Sequence, residues 1–286
     1  MNSFRDRVIV ITGAGSGIGR SLALGLASES SRLYLVDIDR ESLEEVESET
    51  ASSGAGISTC LMDCTDPSCM KDLADRVFDE EGRVDILFNN AGVCGGGGVD
   101  ELSIDDWKWV IDINLMAVIY GIHSFVPGMI RQGGGHIVNT ASLSGLIGFP
   151  YTGPYTASKF AVVGLGETLS SELCVHNIHV TTVCASAVST DIVNHSRIRL
   201  PGNWLSRVRR MIDTRGMSPD TAAEKILKAV KRKKKLAIIS PEIWPLWILK
   251  RMSSALFLKL LCWFTRRSVT PGKHGQEASC EIEERK

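Results

Sequence analysis

An α/β fold with one parallel, doubly wound sheet is the class this sequence predicts, and three observations predict it. Short apolar, β-branched runs alternate with helix-compatible segments along most of the chain. The first run, Val8-Ile9-Val10-Ile11, passes straight into Thr12-Gly13-Ala14-Gly15-Ser16-Gly17-Ile18-Gly19 and then a proline-free helical segment, Arg20 to Leu26. Four polar residues, Asp37, Asp63, Asn90 and Ser142, stand at the ends of successive runs. In an open parallel sheet those carboxyl ends border the ligand crevice.

The elements follow in order. After Leu33-Tyr34-Leu35-Val36 a charged helix runs from Glu41 to Ser53, and Ile57 to Met62 reads as the third strand. Asp66-Pro67 is an N-cap followed by proline at the first helical position, which opens a helix toward Glu81. Val84 to Phe88 is a strand running into the small-residue turn Asn89-Asn90-Ala91-Gly92. One long helix is expected from about Ser103 to Arg131, carrying Asn114. His136 to Thr140, a helix around Tyr155, and Ile178 to Val183 continue the alternation, and Leu236 to Ser240 is the final strand. Such βαβ units place helices on both faces of the sheet. Without an internal repeat or linker, residues 1–240 form one domain.

Composition narrows the function. The 286 residues are 44% hydrophobic, enough for one sizeable core. A formal net charge of −1 speaks against a general nucleic-acid binder. Among the eight cysteines, Cys60, Cys64 and Cys69 come nearest to a metal-ligand spacing but lack a matching His or Cys pair. Reduced thiols and no metal are expected. No apolar signal core precedes Val8, so a cytoplasmic protein is expected.

The glycine stretch has the form of a phosphate cradle. Gly13, Gly17 and Gly19 let the backbone turn tightly and approach a pyrophosphate, which sits on the positive end of the new helix. Asp37 follows the second apolar run, at about the twenty-residue offset of a ribose-binding carboxylate. A carboxylate there accepts bonds from the adenosine hydroxyls and repels a 2′-phosphate. Neither Ser16 nor Ile38 supplies the positive charge that NADP wants, so NAD is favoured.

Tyr155-Thr156-Ala157-Ser158-Lys159 supplies a second motif. On a helix, the i,i+4 spacing puts Tyr155 and Lys159 on one face. A phenol is a poor acid, with an ordinary pKa of about 10, and a neighbouring ammonium is expected to favour its phenolate. Ser142, upstream, offers a hydroxyl to hold a substrate oxygen against that phenol. Proton exchange with an alcohol or carbonyl requires such a set.

Together the TGAGSGIG loop, Asp63, NNAG at 89–92, Asn114, Ser142 and YTASK at 155–159 resemble the short-chain dehydrogenase/reductase family, over roughly residues 5 to 240. The resemblance implies a Rossmann-like fold and assigns Gly13, Ser16, Gly17, Ile18 and Gly19 to the cofactor loop. It implies Tyr155 as general acid/base, Ser142 as anchor of the substrate oxygen, and Lys159 as ribose ligand and activator. By the same resemblance Asn114 holds a water that continues a proton relay, Asp63 contacts adenine and Asn90 helps position the ribose. Homodimers or homotetramers through the helices containing Asn114 and Tyr155 are also implied.

One segment departs from the family pattern. After the strand ending at Cys184 the family has Pro-Gly, and here stand Ala185-Ser186, followed by Ala187-Val188-Ser189-Thr190. Thr190 and the Val188 backbone match the positions that reach the carboxamide. If Ser186 takes the left-handed conformation, it costs about 1–2 kcal/mol relative to glycine.

The remaining third is expected to hold specificity elements. Residues 191–217, rich in arginine (Arg197, Arg199, Arg207, Arg209, Arg210), read as a substrate-covering loop with short helices, and Lys231 to Lys235 as an exposed helix end. Ile243 to Phe264, within the apolar and basic extension 241–267, carries Trp244, Trp247 and Trp263 among leucines. Lys250, Arg251 and Lys259 interrupt it, so it reads as an interfacial helix on an anionic membrane, an apolar lid or a subunit contact. The polar tail, from 268 and above all Pro271 to Lys286, is expected to be disordered.

These features point to an NAD-dependent alcohol dehydrogenase or carbonyl reductase acting on an apolar secondary alcohol or ketone. Leu143, Leu146, Phe149 and Tyr151, close to Ser142, are the expected pocket lining, suited to a steroid, retinoid or long-chain substrate. A dinucleotide-binding regulator with little turnover and a membrane-surface scaffold are the rival readings.

Overall fold

Strand β1 (Val8–Thr12) is buried along its whole length and alternates its side chains between two cores. Ile9 and Ile11 join Leu22, Leu26, Ile226 and Val230 on one face, while Val8 and Val10 join Met70, Val77, Phe125 and Met129 on the other. A strand apolar at every position is what burial on both faces of a parallel sheet demands. The structure, a computed structural model, describes residues 3–190, 192, 196–199 and 204–268.

The chain alternates as expected: β1, α1 (Gly17–Ala27), β2 (Arg32–Asp37), α2 (Arg40–Thr50), β3 (Gly56–Leu61), α3 (Pro67–Glu81) and β4 (Ile86–Asn89). A short strand β5 (Gly95–Gly96), helices α4 (Ile104–Ile111) and α5 (Ala117–Arg131), β6 (Gly135–Thr140), α6 (Gly153–Glu172) and β7 (Ile178–Cys184) follow. The last part holds β8 (Arg197–Ile198), α7 (Trp204–Arg215), α8 (Pro219–Lys231), β9 (Leu236–Ile238), α9 (Ile243–Met252) and α10 (Ser254–Ser268). Seven strands pair in parallel in the order β3-β2-β1-β4-β6-β7-β9. The order reverses between β1 and β4, so the crevice opens at their carboxyl ends.

The capping chemistry is legible in the geometry. Asp66 accepts from the Ser68 backbone N–H at 2.8 Å and Pro67 starts α3. Two helices depart from expectation. The single helix expected from Ser103 has a five-residue π turn, Asp112–Met116, between α4 and α5. This run, Ile104–Arg131, is long and apolar enough by composition to cross a bilayer, yet Phe125 and Met129 bury it against the sheet and α3 as a core helix. The single C-terminal helix is likewise two, broken at Ser253, whose backbone is extended at φ −152° and ψ 92°. Of the expected covering segment, residues 191, 193–195 and 200–203 lie outside the described residues, as does the tail beyond Ser268.

Candidate active site

The cradle is built by backbone. Gly13 and Gly17 take positive φ, +64° and +50°, which the tight turn requires and a Cβ would oppose. A Cβ on Gly19 would stand 1.8 Å from the Gly13 carbonyl oxygen, so only glycine lets α1 fold back on its own loop. The exposed Ser16 makes no capping hydrogen bond with its side chain, and the first turn of α1 holds no acid. The N–H groups there are thus left without a side-chain acceptor, as an anion-binding helix end needs. Ile18 packs sideways into the core beside the loop.

Asp37 closes β2 beside the glycine loop. Its Oδ2 accepts from the Gly15 N–H at 2.8 Å, and its Oδ1 accepts from the Ile38 N–H at 2.8 Å. Asp63 is exposed at the end of β3 and accepts from Thr65. Burial, then the carboxylates of Asp37 and Asp63, pushes the Cys64 thiol up to about 12, so the two acids share one corner of the crevice. The Asn90 side chain is engaged within the fold. Its Nδ2 donates to the Thr12 and Gly13 carbonyls at 3.1 and 3.2 Å and its Oδ1 accepts from Thr140, so the amide is engaged in clamping β1, β4 and β6 together. It shapes the loop from inside.

Ser142, Tyr155 and Lys159 come together at the ends of β6 and α6. The Ser142 hydroxyl stands close enough to the Tyr155 phenol to favour its phenolate, and Lys159 Nζ lies 5.8 Å from the tyrosine ring centroid. The buried ammonium donates to the Thr140 carbonyl at 2.9 Å. Burial lowers Lys159 to about 8, against the opposing pull of the Cys94 and Cys184 thiols. The same burial, first among its causes, raises the Tyr155 phenol above its ordinary value. The ammonium expected to favour the Tyr155 phenolate spends a hydrogen bond on the Thr140 carbonyl, and burial leads the causes that act on the phenol.

Asn114 sits in the π turn, fully buried, and its side-chain amide brackets Val93. Oδ1 accepts from the Val93 N–H at 2.8 Å, while Nδ2 donates to the Val93 carbonyl at 2.9 Å and to Ser158 at 3.2 Å. With the side chain so engaged, a relay through Asn114 has only its main-chain carbonyl to use. A π turn that re-aims one residue is a recurrent device at functional sites.

Beyond β7 the chain passes Ala185-Ser186 without strain. Ser186 does not take positive φ, which corrects the left-handed conformation considered for it. Its N–H donates to Ser240 Oγ at 3.0 Å and its hydroxyl donates to Glu242. Val188 is buried and bridged to Met217, and its carbonyl accepts from the Thr190 N–H at 2.9 Å. The Thr190 side chain closes on the cradle, since a Cβ on Gly17 would stand 2.9 Å from its methyl.

The expected pocket residues share an apolar cluster, with one exception. Leu143, Leu146 and Phe149 pack with Trp247, Leu249 and Leu261 of the C-terminal helices. Tyr151 lies outside that cluster, with φ +62° and its carbonyl accepting from the Gly97 N–H at 2.8 Å. Lys250 ties the wall together by donating to the Leu146 carbonyl at 2.6 Å. Sequence reasoning missed Thr140, Gly92, Cys94, Glu242 and Lys250 as parts of this site. Only Gly92 had a signal, within NNAG; a Cβ there would meet Asn114 Oδ1 at 3.0 Å and Lys159 Nζ at 3.3 Å.

The family model for short chain dehydrogenase matches residues 7–200, and the chain belongs to the short-chain dehydrogenase/reductase family of oxidoreductases. It is similar to the crystal structure of a short chain dehydrogenase/reductase from Burkholderia phymatum in complex with NAD. That likeness has a TM-score of 0.82 at 32% identity, over 90% of this chain and 96% of that one. The cyclohexanol dehydrogenase of an Acinetobacter species is 37% identical over 67% of this chain and 77% of its own length. A CLA biosynthesis dehydrogenase/reductase of Lactiplantibacillus plantarum is 31% identical over 86% and 92%.

Proposed function

We propose that this chain interconverts an apolar secondary alcohol and its ketone with NAD, using Tyr155 as the general acid/base. The observation that carries the reading is the Ser142–Tyr155–Lys159 cluster, which sets a serine hydroxyl and a buried ammonium beside one buried phenol. A nicotinamide dinucleotide, for which the glycine loop and Asp37 are a fitting cradle, supplies the hydride donor or acceptor.

The chain's own residues handle the oxygen. In reduction, the Tyr155 hydroxyl donates its proton to the carbonyl oxygen while the Ser142 hydroxyl holds that oxygen in place. In oxidation, Tyr155 must first lose its proton, and the Lys159 ammonium 5.8 Å from its ring is a positive charge that would partly offset the burial of the phenolate. Because burial raises the phenol, its protonated form is available near neutrality and ketone reduction suits neutral pH.

Asp37 supports NAD over NADP, since its carboxylate beside Gly15 would repel a 2′-phosphate. The cluster of Leu143, Leu146 and Phe149 with Trp247 supports an apolar substrate of the steroid, retinoid or long-chain kind. The name of the cyclohexanol dehydrogenase relative adds cyclic secondary alcohols to that class.

A panel of secondary alcohols and ketones, followed by reduced-cofactor absorbance, tests the reading. Turnover with an apolar cyclic or long-chain member is expected, and Tyr155→Phe should lower it by about 10²–10⁴-fold with NAD affinity retained. A loss below tenfold removes Tyr155 from its role. NAD binding with no turnover across the panel would return the function to a dinucleotide-binding regulator.

A further inference from the structure

The catalytic cluster leaves one large feature of the molecule unused, the outward surface of α9 and α10. On α9, Trp244, Ile248 and Met252 recur every four residues and are 44%, 46% and 82% exposed. On α10, Leu256, Leu260 and Trp263 recur at i, i+4 and i+7 and are 47%, 48% and 54% exposed. Residues at these spacings share one helix face. The inner positions Ile243 and Phe257 are buried in the apolar cluster, with Trp247, Leu249 and Leu261 packed partly against it, so the outer stripes are distinct from those that dock the helices.

The charge along these helices has one sign. Between Ile243 and Ser268 stand Lys250, which turns inward to the Leu146 carbonyl, and Arg251, Lys259, Arg266 and Arg267, without a single Asp or Glu. Lys259 and Arg266, seven residues apart, occupy the edge of the α10 stripe away from the Phe257 seam, and both are exposed. Arg251 stacks on Trp247 at 5.0 Å and Arg267 on Trp263 at 4.2 Å, which places cations beside aromatic rings. At 10 and 15 residues, each helix is shorter than the ~20 residues a span requires.

We infer that α9 and α10 dock the protein on an anionic phospholipid surface, lying in the interface with the tryptophans and leucines inserted and the cations among the head groups. A second copy of this chain is the poorer fit. A two-fold contact sets the same patch against itself, which here brings cations onto cations with no acid on these helices to relieve them.

Co-sedimentation of the full chain with phosphatidylcholine vesicles, with and without phosphatidylserine, tests the inference. Binding is expected only with phosphatidylserine, and it should fall in high salt. The triple variant Lys259→Glu/Arg266→Glu/Arg267→Glu should weaken it by at least about 100-fold, near 1 kcal/mol for each charge removed. Trp263→Ser should weaken it more modestly while leaving the salt response intact. NAD binding by each variant reports that the domain is folded. Absence of binding at low salt, or equal binding to both vesicles, overturns the inference. So does self-association by sedimentation equilibrium that the charge reversals abolish without any vesicle binding, which would assign the surface to a second copy.

Discussion

On the β1 side of the crevice, the loop Gly13–Gly19 packs backbone against backbone; on the β7 side, the loop Ala185–Thr190 is held by residues from far along the chain, through the Ser240 and Glu242 side chains and the Met217 main chain. The first has no room for a single added carbon, with Gly13 oxygen 1.8 Å from a Cβ on Gly19. The second depends on Ser240, Glu242 and Met217, which reach it from 28 to 56 residues away in sequence. A backbone-built wall tolerates almost no change of residue but is announced by its glycines. A side-chain-built wall tolerates change, because each of its contacts is one hydrogen bond among several.

The sharpest way to break this contrast is Gly19→Ala. The methyl would strike backbone that cannot rotate away, so overpacking should cost about 1–3 kcal/mol or more and weaken NAD binding at least about tenfold. Gly164→Ala, in α6 with nothing within 4 Å of its Cβ, is the control. It should be neutral or stabilising by up to about 1 kcal/mol, as alanine replaces glycine within a helix. Thermal melts and NAD titration measure both. A Gly19→Ala protein that binds NAD normally would end the claim that the β1 wall is rigid.

Lys159 stands at the joint between the two walls, and its burial predicts a pH signature. Its folded value, about 8, lies below the ordinary 10.5. Between those values the unfolded chain holds a proton the folded chain has lost, so Lys159's share of stability rises with pH through about 8 to 10.5. Below that window the charged ammonium is a burial penalty on the order of 3 kcal/mol. Lys159→Met should therefore melt higher than wild type at neutral pH without nucleotide, with the gap closing at high pH. The half-buried Cys94 and buried Cys184 thiols, raised to about 11 and about 12 chiefly by desolvation, pull the wild-type slope the other way. The difference between the two proteins is accordingly the quantity to measure, and an Lys159→Met protein that melts lower at neutral pH would sink the argument.

How much of this was legible depended on where each contact comes from. The cradle, Asp37, the Asp66-Pro67 helix start and the i,i+4 pair Tyr155–Lys159 are local patterns, and the structure shows them where the sequence put them. The π turn at Asp112–Met116 was not legible, since one extra residue in a turn leaves the apolar periodicity of Ile104–Arg131 nearly unchanged. Asn90 and Asn114 were found as residues but not as clamps, because their partners, Thr12 and Val93, lie 78 and 21 residues away. The break at Ser253 hid inside a continuous apolar run. The phenol's raised value needed burial, which no motif reports.

A smaller effect is expected from charge on the β1 side. Asp37→Ser removes the carboxylate that accepts from Gly15 and would face a 2′-phosphate. The ratio of NAD to NADP efficiency should drop by about tenfold or more, one unit of like-charge repulsion being worth about 1.4 kcal/mol. If wild-type protein already uses both dinucleotides equally, Asp37 does not choose between them.

The smallest effect belongs to the side-chain-built wall. The Ser186 hydroxyl donates to Glu242, just before α9, and so ties the Ala185–Thr190 loop to the C-terminal helices. Both residues are accessible, and water competes for the bond, which limits its worth to about 0.5–1.5 kcal/mol. Glu242→Gln keeps the shape and an acceptor oxygen but removes the charge, and should raise KM for an apolar ketone about two- to threefold, a few tenths of a kcal/mol. Ser186→Gly removes the bond and adds backbone freedom, and should raise KM further while leaving NAD affinity within a factor of two. The backbone link survives in that variant, since the Ser186 N–H to Ser240 Oγ bond at 3.0 Å needs no side chain at 186. A tenfold loss in either variant would show that one bond carries the β7 wall and that it is as brittle as the cradle. No change in both would instead show that the loop is positioned by Ser240 and Met217 alone.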